Sequence, residues 1–163
     1  MRQILLIFIF LPFFSFSQIK KIEKSSKRTE IGSIVGLKII KNESEFDNSI
    51  SYNVVFSNLK YSQLNDVSSF SFNETGNDFN NLYSMIIEGF NFENTKPLRK
   101  VASNYKLYNE ITLDIGSNQT LYLRYGKKGL APITFQFYLI DENGIDSWSY
   151  WLSKKQINKL FSK

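Results

Sequence analysis

The chain has 163 residues, a formal net charge of +5, and neither cysteine nor histidine. Those two absences remove Ser-His-Asp and Cys-His nucleophile systems, histidine general-base chemistry and zinc sites of the usual composition. An enzyme built from this sequence would have to work through paired carboxylates, a Ser-Lys pair or tyrosine.

Residues 1–17 have the pattern of a secretory signal peptide: a basic start at Arg2, an apolar run from Ile4 to Phe14, and the small-residue site Ser15-Phe16-Ser17. That run is shorter than the roughly 18–20 residues needed to span a bilayer. No cysteine follows to carry a lipid, so the expected product is exported, either periplasmic or secreted. The heavy use of Asn, Lys, Ile, Phe and Tyr is of the bacterial envelope type. Without cysteine, stability must come from packing rather than disulfides. Residues 18–30, with Lys20, Lys21, Lys24, Lys27 and Arg28, read as a basic flexible lead-in, and residues 31–163 as a single α+β domain.

Ser33 to Ile40 alternates Val35, Leu37 and Ile39 as a strand would, and runs out in the charged stretch Lys41 to Glu45. Ser51 to Asn58 and Val67 to Phe72 repeat the pattern, and the short connections favour an antiparallel meander. From Asp78 the period changes. Phe79, Leu82, Tyr83, Ile86 and Ile87 make one apolar stripe on an α-helix, with Asn77 or Asp78 as cap and Gly89 as a left-handed stop. Asn91 to Asn104 has no clear period and reads as a long loop.

Strands resume at Ile111/Leu113/Ile115 and Leu121/Leu123/Tyr125, separated by the Gly116-Ser117-Asn118 turn. Ala131 to Leu152 then reads as a hairpin turning at Asp141-Glu142-Asn143-Gly144. Ser153 to Gln156 is a capping box for a short helix, with Leu152 and Ile157 as its hydrophobic staple. The order β-β-β-α-β-β-β-β-α gives an α+β fold with a mainly antiparallel sheet of about seven strands. A β-sandwich or partly closed barrel is the alternative.

The acids Glu43/Glu45/Asp47, Glu74/Asp78 and Asp141/Glu142/Asp146 fall in expected turns and loops, where nothing places two carboxyls across one cleft. The loop from Asp141 to Asp146 lacks the EF-hand spacing and reads as a type I turn with a glycine bulge, so no metal or cofactor is expected. The sequons at Asn42, Asn73 and Asn118 carry no weight in a chain this rich in Asn and Ser. Export, and cations scattered along the sequence, argue against nucleic acid.

The hairpin register supplies the candidate site. With Glu142-Asn143-Gly144 as the loop, Tyr138 pairs with Trp148, Gln136 with Tyr150, and Thr134 with Leu152. Phe135, Phe137 and Leu139 then share the core face with Ser147, Ser149 and Trp151, against Ile86 and Ile87. The opposite face carries Gln136, Tyr138, Trp148 and Tyr150, beside Tyr122 and Arg124 of the neighbouring strand. Aromatic, amide and guanidinium groups on one face suit a protein, peptide or glycan ligand. The functional expectation is a non-enzymatic binding module, the alternatives being a carboxylate-based hydrolase and an inhibitor or immunity-type protein that neutralises a secreted toxin.

Overall fold

The computed structural model describes residues 26–92, 96–102, 104–116 and 118–163. The expected signal peptide and the first part of the expected basic lead-in fall on residues 1–25, outside the described residues. Among the described residues no helix is long and apolar enough to cross a membrane.

Mainly antiparallel structure with few helices is what forms, but among the described residues as nine strands in two sheets rather than about seven in one. The first sheet is β1 (Ser26–Ile34), β2 (Leu37–Ser44), β3 (Ile50–Ser57) and β4 (Val67–Asn73) in sequence order. The second, also in sequence order, is β5 (Arg99–Ala102), β6 (Tyr105–Asp114), β7 (Thr120–Lys128), β8 (Thr134–Ile140) and β9 (Asp146–Trp148). A 3-10 turn (Leu59–Leu64) joins β3 to β4, α1 (Asp78–Glu88) links the sheets, and α2 (Lys154–Leu160) ends the chain.

Three expectations change. The single strand expected over Ser33 to Ile40 is a hairpin, because Gly36 takes φ +71° and Val35 sits at the tip, 87% exposed. Residues 26–30 of the expected flexible lead-in belong to β1, paired with the charged end of β2 from Ile40 to Ser44. The expected loop from Asn91 to Asn104 contains β5, a short polar edge strand that a search for apolar alternation passes over.

The inner faces of both sheets and the apolar stripes of both helices meet in one core. Phe70 and Phe56 of the first sheet pack on Phe137 of the second at 5.4 and 6.4 Å between ring centres. Phe135, Phe137 and Leu139 are buried there with Ile86, as the hairpin register requires. Trp151, expected among them, is not in this core; Leu152 takes that role. α2 starts with the expected capping box between Ser153 and Gln156 and buries Ile157 and Leu160. It lies so close to β1 that a Cβ at Gly32 would collide with the Leu160 carbonyl.

α1 differs at both ends. No side-chain cap comes from Asn77; the Glu74 carboxylate instead accepts the Asp78 and Phe79 amides at 2.9 and 3.1 Å. Gly89 is right-handed, at φ −62°, so conformational freedom is not the reason for glycine here. The reason is space. The Tyr125 phenol lies where a Cβ would stand, and its hydroxyl donates to the Ile86 carbonyl at 3.1 Å. Burial pushes that phenol above its ordinary titration range.

Gly89→Ala should therefore lower stability by about 1–3 kcal/mol through overpacking. Tyr125→Phe, which removes only the hydroxyl, should lower it by about 1 kcal/mol. Urea unfolding would test both: a lower midpoint at unchanged slope is expected, and an unchanged Gly89→Ala midpoint would refute the steric account.

Candidate functional site

Strand register writes the site as rows across the second sheet. Tyr122 of β7, Tyr138 of β8 and Trp148 of β9 stand opposite one another, and beside them runs the row Glu110, Arg124 and Gln136. Alternation along each strand sends both rows to the face away from the core. The expected pairing of Tyr138 with Trp148 is present, and their rings stack at 6.1 Å and 10°. The turn behind them is also the expected one: the Gly144 amide donates to the Asp141 carbonyl at 2.9 Å, and Gly144 takes φ +76°.

Beyond Trp148 the register slips by one. Leu152 pairs with Phe135, not with Thr134 as expected, and Gln136 does not face Tyr150. Ser149 makes the slip possible. Its amide donates to the Phe137 carbonyl at 3.0 Å, while its Oγ, rather than its carbonyl, accepts the Phe137 amide at 3.0 Å. The freed Ser149 carbonyl accepts from the side chain of Gln136 at 2.9 Å. The side chain thus holds a β-bulge together in the dry interior.

The slip exchanges two aromatics. Tyr150 is carried away to the β1–β2 turn, where its ring packs over Gly36. Trp151 takes a place on the outer face, stacked on Tyr105 at 4.6 Å and 8°. It lies over Gly126, whose missing side chain leaves room for it: a Cβ there would be 3.0 Å from the indole and 2.9 Å from the Lys106 carbonyl. Arg124, Gln136, Tyr138 and Trp148 of the expected set thus line one cleft of about 480 Å³, which Trp151 and Arg99 complete. Tyr122 sits just behind, edge-on to Tyr138 at 5.7 Å.

Sequence reasoning missed Trp151, Arg99, Glu110 and Lys60. Arg124 is held over the Tyr138 ring, 3.3 Å from its centre, and bonds Glu110 at 2.6 Å. Its side chain is 13% exposed and that of Glu110 16%, so the charges are sheltered and need each other. Arg99 reaches the same carboxylate through Nη2 at 2.7 and 3.0 Å. The glutamate lies directly opposite Arg124 in the ladder, a signal that pairing β6 with β7 would have supplied.

At the other end, Asp146 accepts from the Tyr138 hydroxyl at 2.9 Å and pairs with Lys60. The Lys60 ammonium holds its carboxyl below the ordinary 3.8; partial burial opposes this and the tyrosine adds to it. Burial raises the Tyr138 phenol, helped by the neighbouring Asp146. Asn58 ties this corner to the first sheet. It is buried, donates to Asp66 at 2.8 Å, and accepts the Lys60 and Trp148 amides at 3.1 and 3.4 Å.

Among the described residues no group of three carboxylates is placed to hold a metal ion. The carboxylates of the cleft region, Glu110 and Asp146, are both engaged by cations: Glu110 by Arg124 and Arg99, Asp146 by Lys60. Comparison of the chain with protein-family models, curated proteins and solved structures finds no match.

Two outcomes test this arrangement. Ser149→Ala leaves the Phe137 amide without its acceptor and should lower stability by about 1–3 kcal/mol in urea unfolding. An unchanged midpoint would mean that the bulge does not depend on the hydroxyl. The folded-state pKa of Asp146 lies below its unfolded value, so its stabilising effect is complete above about pH 4 and is lost as pH falls through the folded value. The stability gap between wild type and Asp146→Asn should therefore be constant above about pH 4 and narrow as the pH falls below it. A gap independent of pH would show that the carboxylate charge contributes nothing.

Proposed function

We propose that the chain is an exported, non-enzymatic binding module that engages its ligand in the cleft on the outer face of the second sheet. The observation that carries this reading is the pairing of sheltered charge with aromatic planes. Arg124 is pinned between Glu110 and the face of Tyr138, and two indoles, each stacked on a tyrosine, flank it. Groups fixed by stacking and ion pairing lose little freedom when a ligand arrives, which is how a shallow cleft gains affinity. The engaged state of Glu110 and Asp146 favours binding over carboxylate hydrolysis.

The test is retention of a partner from the envelope fraction of the producing cells, with wild type, Trp148→Ala, Trp151→Ala and Tyr150→Ala immobilised in parallel. Retained protein is read by mass spectrometry, retained sugar by carbohydrate assay, and folding of each variant by circular dichroism. Loss in both tryptophan variants with retention by Tyr150→Ala is expected, since only the tryptophans line the cleft. Equal retention by all four proteins would overturn the reading.

A further inference from the structure

Cations that are scattered along the sequence are gathered by the fold. Lys100 of β5 stands directly opposite Lys106 of β6, and Lys106 directly opposite Lys127 of β7, so three like charges form one row across three strands. Like charges directly opposite one another destabilise a sheet. A lysine on an edge strand is a common guard against aggregation, and that accounts for Lys100. It does not account for Lys106 and Lys127, which stand on interior strands.

Lys100, Lys106 and Lys128 line a hollow of about 390 Å³ with Tyr105 and Gly129, and among the described residues no carboxylate lines it. This hollow adjoins the aromatic cleft. Lys100 lines both, and Tyr105 of the hollow stacks on Trp151 of the cleft. Of the Arg99 side chain, which is half exposed, only Nη2 is engaged by the described residues.

We infer that the cleft and the lysine hollow together take an acidic glycan, a chain of sugars bearing carboxylate groups. This rests on the cleft being a binding site. The lysines and Arg99 meet the carboxylates, the indoles offer flat apolar surfaces to the faces of the sugar rings, and Gln136 with Arg124 offers polar contacts between them. The cleft itself decides against other polyanions. Asp146 on the cleft wall accepts hydrogen bonds from sugar hydroxyls, whereas a phosphodiester backbone offers it few donors and an acidic peptide lacks the sugar-ring faces that lie flat on the indoles.

Binding of the purified protein to polygalacturonate and alginate, measured by affinity electrophoresis, tests this against methyl-esterified polygalacturonate, polyglutamate and single-stranded oligo-dT. At least one uronate polymer should be bound, at least tenfold more weakly after esterification or in the presence of about 0.5 M salt. Lys106→Glu should weaken it at least tenfold while raising Tm by roughly 2–4 °C, because it turns the row of like charges into an alternating one. Trp151→Ala should weaken it without abolishing the salt dependence. No binding to either uronate polymer would overturn the inference. So would polyglutamate or oligo-dT binding as tightly with Trp151→Ala indifferent. If the tryptophan variants lose their envelope partner while neither uronate polymer binds, the cleft reading stands and the glycan assignment falls.

Discussion

One hydrogen bond, from the Phe137 amide to the Ser149 hydroxyl, decides which residues this protein shows to solvent. Because a side chain serves where a carbonyl would ordinarily serve, the strand after β9 gains a residue without leaving a buried amide unpaired. Everything after it shifts to the other face. Leu152 turns into the core, where it precedes the α2 cap, and Trp151 turns out over Gly126. Both the completeness of the core and the composition of the cleft follow from that substitution of acceptors.

A similar economy holds at α1. The helix has an ordinary apolar stripe, yet its position is fixed by a glycine that makes room and a tyrosine that fills it. Gly89 and Tyr125 are far apart in sequence and neither is unusual alone. Together they pin the end of the helix to the central strand of the second sheet, through a hydroxyl that reaches the last carbonyls of α1. The start of the helix is fixed as locally as the end is remotely, by Glu74 on the preceding turn.

Local pattern explains what was legible. Alternation revealed β3, β4, β7 and β8, the 3.6-residue period revealed α1, and the Ser153 to Gln156 box marked α2. The hairpin register was correct from the turn out to Trp148, because turn chemistry fixes pairing until something interrupts it. The remainder depended on partners brought from elsewhere. Nothing near Ser149 in the sequence announces that its hydroxyl will enter the ladder. Gly36 looked like an interior strand residue because its neighbours alternate through it. β5 has only the pattern of a polar edge, and Glu110 becomes a site residue only once β6 lies against β7.

Each hydrogen-bonded strand pair in both sheets joins strands that are consecutive in the chain. The ladders can therefore close with short loops and little entropic cost, one hairpin after the next. What is long-range is side-chain packing: Phe137 on Phe56 and Phe70, Tyr125 beneath α1, Asn58 against β9. Each sheet is thus held together by contacts local in the chain, and the two are joined by contacts that are not. The outer-face rows lie within the second sheet, but the corner of the cleft at Asp146 and Trp148 also leans on Lys60 and Asn58 from the connection of the first, so a change that loosens the packing of sheet on sheet reaches the cleft from behind.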